Sequence, residues 1–398
     1  MTDTSGSPGL FPFREETSPN VVGARKTGVL PYQQLHEMVR THAIVSTVAI
    51  EPDQIQPASL DLRLGRRAYR VRASFLPGPN STVMERVGQL DGLPPIDLDN
   101  GAVFEAGAVY VVELLESVAL TADVVGVANP KSSTGRLDVL TRLIADRATA
   151  FDRIEGNYDG PLYIEVAPLT FNVVVRPGVR LNQLRFQRGA GSGVLPQSET
   201  EKLYKAGQLI GLHEPLLPLR EGGLVPVTVD LRGDSAGAIV GYKAKKYTNK
   251  IDVTKIDHYG PAEFWDEIRG SDGRLNLDKG DFYILATRED VGVPRQMAAE
   301  MVPYDTRSGE FRVHYAGFFD PGFGWADGKA AGSKAVLEVR SYGVSFTLEH
   351  GQIVGWLRYA PIASGFTTKL YGSDMKSNYQ GQGLALAKQF KKWPASWK

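Results

Sequence analysis

The stretch PKSSTGRL, Pro130 to Leu137, sets a lysine, two serines, a threonine and an arginine between the apolar runs VVGV and VLTRLI. Hydroxyls and two cations on a short turn suit an anion, since lysine is a point charge and arginine a bidentate fork. It is not a phosphate loop of the G-x-x-x-x-G-K-[ST] type, because Pro130 precedes Lys131 and lacks the backbone donor such a loop uses. The other reading of these residues is a solvated polar turn entering a helix. The next strand-like run, PLYIEV, carries one acid, Glu165, among apolar neighbours. Burial favours the protonated form of a carboxyl, and a carboxyl that can take and return a proton near neutral pH serves acid–base catalysis. Hydroxyl, guanidinium and buried carboxyl are together sufficient for a hydrolytic step. The chain has no cysteine, so no thiolate metal site can be built.

The elements that must position these groups are mostly short strands. PYQQLHEMVRT, from Pro31 to Thr41, has helical spacing with proline at its start. AVYVVELLE, PLYIEVAPL, FNVVV and VRLNQLRF are rich in β-branched and aromatic residues and are separated by turns such as Arg176 to Gly178, which predicts an all-β barrel or sandwich. A long repeat organises them. Gly107 and Gly280, Tyr110 and Tyr283, Glu165 and Glu338, Leu184 and Leu357 all stand 173 positions apart, and PASLDLR (from Pro57) pairs with PVTVDLR (from Pro226) at 169. The pattern predicts a loose tail over 1–21, a first β domain over 22–210 and a second over 224–398, joined near Gly191 to Pro215. At offset 173, Lys131, Ser132, Ser133 and Arg136 fall on Tyr304, Asp305, Thr306 and Gly309, so the second copy lacks the hydroxyl and cation cluster.

The ordered set PASLDLRLG, KSSTGRL, RIEGNYDGPLYIEV, RPGVRLNQLRF and KLYKAGQ resembles the dCTP deaminase family of the dUTPase-like superfamily, in a tandem-duplicated form. The resemblance covers Ile50 to Gln208 well and Leu224 to Gln382 more weakly. It implies two distorted jelly-roll β-barrel domains with a few short helices, and hydrolysis of dCTP to dUTP and ammonia, a step toward dUMP and dTTP. Mg²⁺ accompanies the triphosphate and no catalytic zinc takes part. It implies Glu165 as general base, and Ser132 and Arg136 as the groups holding the attacking water and the developing charge. Lys131 and Ser133 are then phosphate contacts, Glu155 lies near the sugar and Tyr158 near the nucleoside. Lys202, Tyr204 and Gln208 resemble a tail motif that closes over the triphosphate, as do Tyr379 and Gln382 of the second copy. Sites between domains, trimers of two-domain chains, and dTTP as the feedback inhibitor to test complete that picture. The second copy is then a non-catalytic domain, or one that lends Glu338 or its tail to a neighbour's site.

The sequence departs from the family at Thr134, where an apolar residue is usual, at Asp138, where a small one is, and at Leu203 inside the tail motif. Lysine plus arginine equals aspartate plus glutamate, 45 of each, so no global field draws the chain to nucleic acid or an anionic membrane. Its opening residues lack a basic then apolar leader and no apolar run reaches spanning length, so a cytoplasmic protein is expected. The zinc site of H-x-E…P-C-x-x-C deaminases is excluded by the missing cysteines. Two alternatives to deamination stand: dUTP pyrophosphatase activity, alone or added, and a non-catalytic nucleotide-binding scaffold.

Overall fold

The computed structural model describes residues 27–90, 94–189, 195–211, 215–302, 311–314, 317–375 and 379–392. The expected tail over 1–21 and the positions Tyr304 to Gly309 lie outside the described residues.

Helix α1 (Tyr32–Arg40) forms where the spacing predicts it and buries Leu35. Helix α2 (Val83–Leu90) buries Val83 and Val87. The first domain is otherwise built from β1 (Leu60–Val71), β2 (Val109–Ala119), β3 (Val124–Pro130), β4 (Val139–Ala145), β5 (Asp159–Pro168) and β6 (Arg180–Arg188), with the one-turn helix α3 (Ser132–Gly135) between β3 and β4. Hydrogen bonding runs in the order β4-β5-β2-β1-β6-β3, all antiparallel. The long strand β1 belongs to both halves of this curled sheet. Its consequence is a closed sandwich with Leu64, Tyr110, Val112, Ile164 and Val166 inside.

The second domain begins with helix α4 (Gln197–Lys205) and repeats the plan in β7 (Val225–Thr228), β8 (Ile239–Ala244), β9 (Phe282–Asp290), β10 (Met297–Val302), β11 (Lys334–Ser341) and β12 (Ile353–Pro361). Register carries the repeat. Val111 pairs with Glu165 across β2 and β5, and Ile284 with Glu338 across β9 and β11. Ala128 pairs with Leu184, and Met301 with Leu357. Each member lies 173 positions from its counterpart.

The match of PASLDLR with PVTVDLR is corrected. Arg63 pairs with Arg180 and Thr228 with Ile353, so the counterpart of Arg63 is Thr228 rather than Arg232. Buried acids agree: Glu116 accepts from the Arg63 backbone N–H at 2.8 Å, and Glu289 from that of Thr228 at 2.8 Å. What is one strand in the first copy is split into β7 and β8 in the second, because Gly233 and Gly237, at φ of 67° and 72°, turn the chain out between them.

The domains share a wide seam. Val173 to Val175 pairs in parallel with Ile251 to Asp252, Phe171 meets Phe264 and Trp265 edge-on at 5.9 and 5.4 Å, and Arg176 reaches Asp252 at 2.7 Å. Leu195, Tyr204, Leu209 and Ile210, assigned by repeat to the first domain, pack in the second domain's core, while Ala387 and Phe390 join the apolar cluster of the seam, where Phe390 meets Tyr259, Phe264 and Trp265.

Arg63, 2 % exposed, is held by Glu116 at 2.7 Å through Nε, and Gln54 donates to the same carboxylate at 2.7 Å. Removing one partner of such a pair leaves the other charge buried and unpaired. Glu116→Ala is therefore expected to lower stability by about 3–5 kcal/mol, read as an earlier urea-unfolding midpoint; an unmoved midpoint would show that the pair carries no stability.

Candidate active site

PKSSTGRL folds as a single helical turn at the end of β3. Lys131 accepts from the backbone N–H groups of Thr134 and Gly135 at 2.8 and 3.0 Å, and the turn closes on Asp138 in the left-handed region at φ 55°. The winding sends Lys131, Ser132, Ser133 and Arg136 toward the seam. They line a cleft of about 930 Å³ whose other walls come from both domains.

Arg136 is 2 % exposed and crosses the seam. Its Nη2 donates to Gln382 Oε1 at 2.9 Å, its Nη1 to the Ala385 and Leu386 carbonyls at 3.1 and 3.4 Å, and the guanidinium lies 4.0 Å over the Tyr379 ring. Its buried Nε has no hydrogen-bond partner and stands 3.9 Å from Glu338 Oε1. Burial pushes the Glu338 carboxyl up to about 8, against the pull of Arg136. The acid of the cleft is thus the second copy's.

Asp138 and Arg340 fix this meeting. Arg340, two residues beyond Glu338 on β11, pairs with Asp138, two residues beyond Arg136, and donates to Thr170 Oγ1 at 2.8 Å; Thr170 donates to Asp138 at 2.6 Å. Asp138 is fully buried. The aspartate that departs from the family pattern is the first domain's hold on the second.

Lys131 pairs with Asp61 on β1, and Arg180 lies 3.9 Å from the same carboxylate and 2.9 Å from Asp53. Lys388 lines the same end, where burial and then the charge of Lys131 pull its ammonium below the usual lysine range. Arg185 donates to Asp320, which also lines the cleft, at 3.1 Å, and burial raises that acid above the usual carboxylate range despite the arginine. Several cations and a protonatable acid facing Arg136 line the same cleft. The arrangement can seat a polyanion by its tail while a carboxyl and a guanidinium address its head.

Six expected residues stand elsewhere. Glu165 is 1 % exposed but belongs to the opposite face of the first domain, where Arg142 contacts it through Nε at 2.9 Å and Nη2 at 2.5 Å; it does not line the cleft. Register explains this: the faces holding Glu165 and Glu338 are equivalent in the two copies, and only the second copy's face meets the other domain's Arg136. Glu155 is exposed and paired with Arg153, and the Tyr158 hydroxyl donates to the Pro161 carbonyl, with burial raising it to about 12. Tyr204 is buried with its hydroxyl donating to Leu217 at 3.0 Å, Lys202 is exposed, and neither they nor Gln208 line the cleft. Their second-copy analogues Tyr379 and Gln382 do. Arg180, Gln183, Lys388 and Asp61 were missed as cleft residues; RPGVRLNQLRF and SLDLR, which supply three of them, were the signal.

A family model described as the 2'-deoxycytidine 5'-triphosphate deaminase N-terminal domain matches residues 26–190, and one described as the C-terminal domain matches residues 197–390. The dCTP deaminase of Shewanella amazonensis is 31% identical over 158 residues, 36% of this chain and 77% of its own length. That of Actinobacillus succinogenes is 28% identical over 174 residues, 41% and 87% respectively. The crystal structure of the 2'-deoxycytidine 5'-triphosphate deaminase from Agrobacterium tumefaciens superimposes with a TM-score of 0.79 at 47% identity, covering 85% of this chain and all of that one. With both domain models matched in tandem and a near-complete structural counterpart, the chain belongs to the dCTP deaminase family.

Proposed function

We propose that the seam cleft hydrolyses dCTP to dUTP and ammonia, with Glu338 as the group that moves the proton. The observation that carries this is a buried carboxyl, raised to about 8, facing the unpartnered Nε of Arg136 in a cleft with Ser132, Ser133 and Lys131. Water adds its oxygen to C4 of the cytosine while Glu338 takes one of its protons. The protonated Glu338 passes that proton to N3, made basic by the addition, then takes the remaining hydroxyl proton and hands it to the departing amine; ammonia leaves, and C4 keeps the oxygen as a carbonyl. Such general acid–base help contributes roughly 10²–10⁴ in rate. Arg136 stands where a donor can hold the water and the negative charge that develops on addition, and Ser132 lines the same turn.

Lys131, Arg180 and Lys388 are the cations for the triphosphate, with Ser133 beside them. Among the described residues no three His, Asp or Glu side chains gather as a metal site. Mg²⁺ is proposed to arrive with the nucleotide, held by phosphate oxygens and water with few protein ligands. No observation favours the pyrophosphatase alternative. No helix of the described residues is long and apolar enough to cross a membrane, and the cytoplasmic nucleotide pool is the proposed setting, with dTTP binding at the same cleft as the inhibitor to assay.

Incubation with dCTP and Mg²⁺, resolving ammonia, dUTP and dUMP, is expected to give equal ammonia and dUTP; no ammonia would refute deamination. Glu338→Gln is expected to cut kcat by about 10²–10⁴ with dCTP binding retained, whereas Glu165→Gln leaves kcat within the same decade. Equal damage from both would remove Glu338 from its role.

The pH dependence has a fixed sign. An unfolded chain releases the Glu338 proton at about 4.5, the native one at about 8. The native state therefore binds more protons between those values, and stability falls as pH rises across that window. kcat/KM is expected to rise with pH up to about 8 as the base ionises, and Glu338→Gln is expected to abolish that limb and flatten the stability slope. An unchanged slope in the variant would assign the titration to another group.

A further inference from the structure

Two charged contacts of opposite polarity cross the seam side by side. Arg136 of the first domain faces Glu338 of the second at 3.9 Å, and two residues further along both segments Asp138 of the first pairs with Arg340 of the second. Residues two apart on a strand share a face, so β11 presents Glu338 and Arg340 together to the turn that carries Arg136 and Asp138.

The two contacts are built differently. The second is closed: Arg340 Nη2 reaches the Asp138 carboxylate and donates to Thr170 Oγ1 at 2.8 Å, Thr170 donates to the same carboxylate at 2.6 Å, and Arg340 Nη1 donates to the Gly280 carbonyl of its own domain. The first is open, with the Nε of Arg136 unpartnered. Asp138, Thr170 and Arg340 do not line the cleft, so the closed contact stands behind the site and not in it.

Three features tie this contact to the site. Asp138 sits in the left-handed region at φ 55°, where glycine is the unstrained residue, yet an acid is kept there and fully buried. At the repeat spacing of 173 the counterparts of Asp138, Thr170 and Arg340 are Phe311, Gly343 and Ala167, so the contact is made in one direction only, the one that brings Glu338 to Arg136. Around it Phe171, Phe264, Trp265 and Val336 form an apolar seam, and apolar burial is non-directional; it closes the seam without fixing how β11 stands against the turn. The braced ion pair fixes it.

We propose that Asp138 and Arg340 are positioning residues of the deamination step: their pair sets β11 against the turn so that Glu338 faces the Nε of Arg136 without bonding to it. This rests on the reading of Glu338 as the proton-moving group. A Glu338 in full contact with Arg136 is held in its charged form and is the poorer base. The other titratable groups beside Glu338 are Tyr379 from the tail, whose phenol burial raises above its usual range, and His314, opposite it in register on the strand Phe311–His314.

Asp138→Asn tests the proposal, since asparagine tolerates the left-handed region, keeps the shape and removes the charge. Expected are a fall in kcat of about 10–10²-fold with little change in KM for dCTP, and a kcat/KM limb displaced to lower pH by about one pH unit as Glu338 gains the attraction of cations no longer held off. Arg340→Lys, which keeps the charge, is expected to retain most of the wild-type profile. The infrared band of the protonated Glu338 carboxyl, identified by its loss in Glu338→Gln, reads the same titration without dCTP. An Asp138→Asn protein in which this band titrates as in the wild type would overturn the proposal and leave the pair a purely structural contact. A wild-type limb that does not follow the band would instead remove Glu338 from the chemistry. If Asp138→Asn does not fold, Thr170→Val, which removes only the hydroxyl brace, is expected to move the band in the same direction by a smaller step, and an unmoved band there overturns the proposal equally.

Discussion

Everything around the cleft depends on keeping Arg136 and Glu338 3.9 Å apart across a buried seam. Taking two ionisable groups out of water is costly, and the loss is recovered only if geometry is fixed and the remaining donors are satisfied. Here four of those requirements are met from different places in the chain. Gln382 and the Ala385 and Leu386 carbonyls occupy the guanidinium's Nη atoms, Tyr379 covers its face, the Asp138–Arg340–Thr170 cluster sets the spacing of the two strands, and the Phe171, Phe264 and Trp265 rings seal the edge. No single domain could supply this. The site exists only because the two copies fold against each other.

Duplication supplies two of every part and the seam uses one of each. Several of the spare parts have been given other contacts. Glu165 keeps its place in the strand but is gripped from its neighbour Arg142, itself stacked 3.8 Å over Phe151. Arg185, spanning from the first domain to Asp320, has as its counterpart Arg358, which pairs with Glu300 inside the second. Tyr204 and its helix, the analogue of the tail at Tyr379, fill the second domain's core instead of closing a cleft.

What the sequence disclosed follows from which contacts are local in pattern. Strand type, the one-turn role of PKSSTGRL and the 173-residue repeat were readable because hydrogen-bond register preserves spacing, as the pairs Val111 with Glu165 and Ile284 with Glu338 show. The split of one strand into β7 and β8 was not, because VDLRG mimics LDLR closely enough to shift the match by four positions. Helix α2 carried its own signal in Thr82-x-x-Glu85 and the spacing of Val83 and Val87, which went unread among strands. Choosing Glu165 over Glu338 was beyond the pattern altogether. Both glutamates sit in near-identical apolar runs, and only the packing of one domain's face on the other, with contacts spanning some 246 positions such as Arg136 to Gln382, tells them apart.

The two glutamates also differ in how their arginines meet them, which bears on the proposal that Glu338 moves the proton. Arg142 holds Glu165 through two nitrogens on one oxygen. Arg136 makes no such contact with Glu338, since its Nη atoms are already committed to Gln382 and the tail carbonyls. Desolvation then outweighs the arginine's attraction, and the carboxyl titrates at about 8, where its two protonation states are close in free energy at ordinary pH. The tail segment thus does more than close the cleft. By taking up the arginine's Nη hydrogen bonds it leaves Glu338 without one from Arg136, and it joins the acid proposed to move the proton to a segment that lines the cleft.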